Sequence, residues 1–333
     1  MTLPKALLAD ADQQIEAGTG DLAGGPDIMI RFENSLDGWI SGSMTGKLTS
    51  PGVANGITDL VVWSTHNGGT SWTPNTLPGF SSDSSYFDLE ASTTKVYMLG
   101  VEWSSYKAIV DFSPIESNHW TRSSLAPMSL PAGGAQPSGA IVIAGSHGWL
   151  EEGNDRGVIG SAELNAKAQW VPWKSPCQSV GDTMAYPVPS SPTRLIGACQ
   201  IGGFGGDDSG PVPPGAKLGS TWLYISTNAG ATFKSGLEIA KTYSGGATIL
   251  AAPSTSMLLA VDDYFSPSVL VASFDGGLHW SKVGVSGDTS ISEVVSLRFV
   301  APMFGFGLVQ NSNDKSAVIE TTDGGHAWTV IAG

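Results

Sequence analysis

Apolar positions along the chain fall in runs of strand length, such as residues 139–145 and 247–252, separated by clusters of Gly, Pro, Asn, Asp and Ser. No run reaches the 18 residues that an apolar membrane-spanning helix needs. This pattern predicts many short strands joined by tight turns and little helix. Composition agrees: 43 glycines and 20 prolines supply the turns. Apolar residues make up 41% of the 333, enough for a sizeable core, while charged residues are only 14%, well below the usual quarter.

One motif recurs, reading Ser/Thr-x-Asp/Asn-x-Gly-x-x-Trp/Phe. Its clear copies are Thr65–Trp72, Ser226–Phe233, Ser273–Trp280 and Thr321–Trp328, and two degenerate copies, Ser113–Trp120 and Glu163–Trp170, keep the terminal Trp. Successive copies start 48, 50, 63, 47 and 48 residues apart, close to the length of one four-stranded propeller blade. The long step marks an insertion. Each part of the motif has a mechanical use. The Asp or Asn oxygen accepts backbone N–H bonds within a turn. Gly supplies a left-handed backbone position at little cost. The ring plugs the space between strands, and the hydroxyl is free to tie the turn to a neighbour. Phe32…Gly38-Trp39, Val142…Gly148-Trp149 and Phe299…Gly305-Phe306 repeat a second spacing, read as a first hairpin in each unit.

These residues resemble the Asp-box, or BNR, repeat of sialidase-like β-propellers, and the hairpin spacing is similar to that of photosystem-assembly propellers. The resemblance covers nearly the whole chain and implies an all-β fold: a six-bladed β-propeller of four-stranded antiparallel blades. The expected blades are 27–73, 74–121, 122–173, 174–234, 235–281 and 282–333, forming one domain over residues 27–333. Residues 1–26 carry no strand pattern and read as an N-terminal arm or linker, with a short helix at 3–17. Seven blades, the alternative, would need those residues to join a sheet. In this family the box lies between the third and fourth strands, away from the ligand face. Asn67, Asn228, Asp275 and Asp323 are therefore expected to be structural.

The same topology sorts the chemistry. His66, His119, His279 and His326 lie within boxes and His147 within a hairpin turn. None is placed for a triad or a His-ligated zinc site, and no metal site is expected. The loops between second and third strands, by contrast, are expected to carry Glu102-Trp103, Glu151-Glu152 with Asp155-Arg156, Asp207-Asp208, Asp262-Asp263-Tyr264, and Asn311 with Asn313-Asp314. Carboxylates beside Trp and Tyr suit sugar hydroxyls and ring faces, and a carboxylate pair at suitable distance would suit glycoside hydrolysis. The simpler reading is that acids populate solvated loops in any acidic protein. A net charge of −14 argues against nucleic acid and anionic membranes.

Residues 200–220 are rich in Gly, Pro and Asp. They read as a flexible insertion, a lid, or a structural calcium loop using Asp207 and Asp208; no other cofactor is expected. On the family's topology Cys177 follows the outer strand of the third blade and Cys199 ends the second strand of the fourth. A disulfide is expected, two buried thiols being the alternative, and with it an oxidising compartment. Residues 1–10 show no signal-peptide pattern, so the secreted or extracytoplasmic location rests on the cysteines.

Sialidases grip their substrate with three arginines, the first in a Phe/Tyr-Arg-Ile-Pro motif. Ile30-Arg31-Phe32-Glu33 does not match it, and the whole chain holds five arginines, so sialidase activity is not expected. Arg31 and Arg298 sit at matching places and are expected either to form a basic patch or to pair with acids between blades. Three functions remain: a monomeric extracytoplasmic propeller binding a glycan or other polar ligand at its channel mouth; a carboxylate-dependent glycoside hydrolase; and a protein-assembly propeller.

Overall fold

The computed structural model describes residues 29–45, 57–81, 84–102, 107–124, 138–154, 157–165, 167–179, 187–200, 221–239, 248–262, 269–287, 291–311 and 316–332. The expected arm at 1–26 lies outside the described residues, and so does the question of a seventh blade.

The described chain is all-β, its one helical turn being Pro176–Ser179. The strands form six sheets. The first holds β1 (Met29–Phe32), β2 (Asp37–Thr45), β3 (Ile57–His66) and β4 (Thr73–Asn75). The second holds β5 (Ser84–Ala91), β6 (Lys95–Glu102), β7 (Lys107–Pro114) and β8 (Thr121–Arg122). The third holds β9 (Ser138–Ala144), β10 (His147–Asn154), β11 (Gly157–Leu164) and β12 (Trp170–Pro172). The fourth holds β13 (Val188–Pro189), β14 (Leu195–Gln200), β15 (Thr221–Ser226) and β16 (Lys234–Ile239). The fifth holds β17 (Thr248–Ala251), β18 (Leu258–Asp262), β19 (Val269–Ser273) and β20 (Ser281–Lys282). The sixth has five strands: β21 (Gly284–Ser286), β22 (Ile291–Ala301), β23 (Phe304–Asn311), β24 (Ser316–Thr321) and β25 (Ala327–Ala332). Each sheet is a meander in chain order, except that β21 lies parallel on the outer edge of β25.

The strand lengths follow from burial. The second and third strands of the second sheet are buried almost throughout, whereas β8 and β20 are two exposed residues each. A strand covered on both faces reads as a continuous apolar run, not an alternation, which is why the sequence shows apolar runs. The chain divides into two compact units, Met1–Glu152 with Ala162–Pro172, and Gly153–Ser161 with Trp173–Gly333. In the first, Trp39, Val62, Leu89 and Met98 pack between the first and second sheets, and Leu99, Val110, Ile141 and Leu150 between the second and third. In the second, Ile196, Leu223, Leu258 and Val271 form one cluster, and Leu259, Val309, Ile319 and Trp328 another.

The recurrent motif forms the same turn four times, between the third and fourth strands as expected. The Ser or Thr hydroxyl donates to the Asn or Asp Oδ1 two residues on, at 2.8–3.0 Å. The same hydroxyl oxygen accepts the N–H of the motif glycine, Gly69, Gly230, Gly277 or Gly325, at 2.8–2.9 Å. Oδ1 also accepts the N–H four residues further on, from Ser71, Thr232, His279 or Ala327, at 2.9–3.0 Å. The two residues at the bend take positive φ, as in Gly276 (79°) and Gly277 (100°), which favours glycine there. The tie to a neighbouring segment comes from the backbone instead of the hydroxyl. Gly68, Ala229, Gly276 and Gly324 donate their N–H to Leu36, Thr193, Ser256 and Met303 in the first hairpin of the same sheet, at 2.7–3.0 Å. In the degenerate second copy Ile115 makes the matching bond to Thr94.

The terminal rings differ from one copy to the next. Trp328 is 0% exposed and Trp120 and Trp170 are buried, but Trp72, Phe233 and Trp280 are only half-buried. Trp280, partly exposed, still packs against the cluster of Ile196, Leu223, Leu258 and Val271, as expected of a mostly buried ring. It immediately precedes β20, which is two residues long, and its indole N–H donates to the Gly277 carbonyl at 3.1 Å. Trp328 instead lies inside β25, between β24 and the added β21. Cys177 and Cys199 are bonded, with Cα atoms 5.2 Å apart, joining the helical turn after β12 to β14 inside the core.

Two outcomes follow. Trp328→Ala should lower the unfolding free energy by about 3–5 kcal/mol and Trp280→Ala by about half as much or less, measured by chemical denaturation; equal losses would mean β21 gives no extra cover. Replacing both cysteines by Ala should cost about 3 kcal/mol by releasing a loop of roughly twenty residues, read as a lower denaturation midpoint.

Candidate ligand-binding site

A four-stranded antiparallel meander puts its first and third turns at one end and its second turn at the other. The recurrent turn and the first hairpin occupy one end of each sheet, where they bond to each other. The Ser, Thr, Asn and Asp side chains of the four clear turns bond within those turns. Burial-independent hydrogen bonds from the His279 backbone and ring hold Asp275 well below the usual carboxylate range, and the Ala327 N–H likewise lowers Asp323. His66 Nδ1 lies 2.7 Å from Asp37 Oδ1 and its Nε2 3.1 Å from Asn118 Oδ1. His279 lies 2.6 Å from Asp275. Both histidines are engaged within or between turns, and among the described residues no group of three His, Cys, Asp or Glu gathers as a metal site.

The opposite end is where the second strands finish, and the expected site residues fall there unevenly. Glu102 is the last residue of β6, half-buried, and pairs in register with Lys107 at the start of β7. Asp262 is the last residue of β18, in register with Val269. Trp103, Asp155, Arg156, Asp207, Asp208, Asp263 and Tyr264 lie outside the described residues, as does the whole of 201–220. Glu151 departs from its expected place. It and Glu152 lie inside β10, not in the loop beyond, and both are buried, at 1% and 0% exposure. β10 runs on to Asn154. Sequence places carboxylates at the surface by default, because an ionised one is rarely buried without a partner. Burial pushes the Glu152 carboxyl up to about 8, so at neutral pH it is an uncharged acid and that default does not apply.

A second group of charges was legible only in part. β1 lies beside β5, and β5 beside β9. Arg31 on β1 reaches across to β5, with Nη2 3.8 Å from Asp88 Oδ1 and Nε 3.4 Å from Glu90 Oε2. Asp88 Oδ2 in turn accepts the N–H of Ile141 on β9 at 3.0 Å. Of the two expectations for Arg31, pairing with acids between sheets is the one found. Asp88 and Glu90, two residues apart on a strand, present their carboxyls to one face; that i, i+2 spacing was the available signal. Burial pushes Asp88 up to about 6, Arg31 opposes the rise, Glu90 adds to it, and the N–H groups of Ile141 and Leu89 oppose it. The result is one half-buried acid that titrates close to neutrality beside a second carboxylate and a fixed cation. Such a group can accept hydrogen bonds from hydroxyls when ionised and donate one proton when not.

Six meander sheets of four or five strands define the class: this is a β-propeller fold. No family model matches the chain and no curated protein is similar to it. Solved structures are similar in fold. A polysaccharide lyase, an ulvan lyase bound to GlcA(1-4)Rha3S, is 11% identical over 92% of this chain and 80% of that one, with a TM-score of 0.53. A mutant of the Aleuria aurantia lectin AAL in complex with Fucα1-6GlcNAc is 10% identical over 92% of this chain and 94% of that one, also at 0.53. At these identities the likeness extends to the fold alone.

The Asp88 titration has a clear test. Removing Arg31 as Arg31→Met should move its midpoint above about 6, and Glu90→Gln should move it below, each followed by carboxyl NMR. A midpoint that neither variant shifts would mean that the ion pairs do not govern this acid.

Proposed function

We propose that the chain is an Asp-box propeller, a single domain over residues 27–333, that binds a glycan or another polar ligand at the sheet ends opposite the recurrent turns. The observation that carries this reading is the division of labour between the two ends. At one end Thr65, Ser226, Ser273 and Thr321, with Asn67, Asn228, Asp275 and Asp323, are consumed by their own turns. At the other, the second strands β6 and β18 finish in Glu102 and Asp262, and the reading assigns Trp103, Asp155, Arg156, Asp207, Asp208, Asp263 and Tyr264, which lie outside the described residues, to the same end. Carboxylates and aromatic rings in that combination match the hydroxyls and ring faces of sugars. The fold likeness to a lectin and to a polysaccharide lyase is compatible with it and adds no residue-level support. The buried disulfide Cys177–Cys199 favours an oxidising, extracytoplasmic setting, and the protein acts as a monomer.

One observation favours a second, enzymatic reading. Asp88, raised to about 6 by burial, lies on the same strand as a second acid, Glu90, and a raised carboxyl beside another acid is what glycoside chemistry uses. Binding alone does not need it.

The test is a glycan array with a polysaccharide panel, neutral and acidic, assayed for both binding and chain cleavage. Asp207→Asn and Asp262→Asn should weaken binding at least tenfold while leaving the melting temperature unchanged. If no glycan is retained, or if both variants bind like the parent, the ligand-face assignment fails and a protein-interaction role takes its place. Cleavage that disappears in Asp88→Asn would move the conclusion to the enzyme.

A further inference from the structure

Asn67 is followed by Gly68, one of two Asn-Gly pairs in the chain; the other, Asn55-Gly56, lies outside the described residues. An Asn-Gly pair is chemically labile. The glycine nitrogen, with no side chain to hinder it, can attack the asparagine side-chain carbonyl carbon and close a five-membered imide. That attack needs a glycine nitrogen free to turn toward the side chain and a side chain free to meet it. The first recurrent turn withholds both. The Gly68 N–H donates to the Leu36 carbonyl at 2.9 Å, in the first hairpin of the same sheet. The Asn67 amide is held at both ends. Its Oδ1 accepts the Thr65 hydroxyl at 3.0 Å and the Ser71 N–H at 2.9 Å, and its Nδ2 donates to Ser71 Oγ at 2.8 Å.

The same hairpin explains why the labile partner is there. Gly68 takes a φ of 68°, and a Cβ at that position would lie 2.9 Å from the Ser35 carbonyl oxygen. The hairpin therefore comes too close for a side chain, and glycine is required. In the fourth turn, after Asn228, Ala229 takes the place with a φ of 56° and bonds to Thr193 at 2.8 Å; its methyl group hinders imide closure. The fifth and sixth turns carry Asp275 and Asp323 ahead of their glycines. Hydrogen bonds hold both below the usual carboxylate range, and an ionised carboxylate is a poor target for the attack. Asn67, exposed to solvent, is thus the reactive member of the set.

We propose that Asn67 is a latent modification site, a deamidation centre that the intact turn keeps silent and that reacts once the Gly68–Leu36 bond is lost. Water is the only other reactant. The Gly68 nitrogen gives up its proton to solvent and bonds to Asn67 Cγ, the Cγ–Nδ2 bond breaks, and ammonia leaves. Water then opens the imide at one carbonyl or the other, giving aspartate or isoaspartate. The aspartate fits the turn. In the sixth turn Asp323 Oδ1 makes the matching bonds, to the Thr321 hydroxyl at 2.8 Å and the Ala327 N–H at 3.0 Å. The isoaspartate adds a carbon to the main chain between the turn and its tie, and cannot keep both sets of bonds. One product is absorbed and the other leaves the turn unfastened. The site stands at the end of the first sheet away from the candidate ligand side, so it does not depend on what the ligand is.

Peptide mapping by mass spectrometry on the full chain, incubated at pH 8, tests it. In guanidinium chloride Asn67 and Asn55 should convert at similar rates. In the folded chain Asn67 should convert at least about tenfold more slowly than in the unfolded one, the effect expected of withheld hydrogen bonds. Asn34→Ala loosens the tie from the hairpin side, because Asn34 Oδ1 accepts the N–H groups of Leu36 and Asp37 at 2.8 and 2.9 Å. Asn34 is exposed, so its removal leaves the core intact. In that variant Asn67 should convert several times faster than in the folded parent, while Asn228 keeps its rate. Equal rates for Asn67 in the folded and unfolded parent overturn the proposal. So does a folded Asn34→Ala variant that keeps the parent's rate. Should that variant not fold, Ser71→Ala, which frees the Asn67 amide from the other side, is read in its place by the same criteria.

Discussion

The structure depends on one hydroxyl, used twice. In each clear copy of the recurrent turn a buried Ser or Thr oxygen donates to the Asn or Asp beside it and accepts the glycine N–H that would otherwise be stranded under the turn. A buried N–H left without a partner costs about 1–3 kcal/mol, and four sheets face the same problem. With that bond made, the bend residue can direct its own N–H outward to the first hairpin. The third turn and the first turn of each sheet are thereby fastened together. The strands between them can then be apolar on both faces, because the polar work is done at the ends.

That economy also explains why so much of the fold is legible in the sequence. The motif spacing gives the sheet repeat, because the turn cannot form without those residue types at those offsets. The two cysteines could be paired because the repeat placed one after β12 and the other on β14, and their bond lies where that placement requires. Where the reading stops is where side chains report on packing that no local pattern records. Trp280 and Trp328 occupy the same motif position, but only the second gains cover from β21, a parallel addition with no counterpart in the other five sheets among the described residues.

The candidate site is less legible for a related reason. Sequence sorts residues by charge at neutral pH, and two of the informative acids do not keep that charge. Glu152 hides in a strand because its carboxyl is neutral there, and Asp88 is drawn toward neutrality by burial against the pull of Arg31. For Arg31 the sequence left a basic patch and pairing with acids between blades both open, since the pairing that decides it joins β1 to β5 across separate sheets. The placing of the recurrent turns and the first hairpins at one end of each sheet is the part that carried over.

The short strand β21 has one more consequence. In four of the sheets the outermost strand is only two or three residues long, too short to recruit a foreign strand. β25 is six residues, with Ile331 half exposed, and its edge is occupied by β21. The chain thus carries its own edge guard, built from the connection that leads into the same sheet. A recombinant fragment begun after Ser286 would keep the sheet but shed the guard, and its bare β25 would be the place where copies join. For anyone cutting this protein into pieces, the boundary belongs before Gly284.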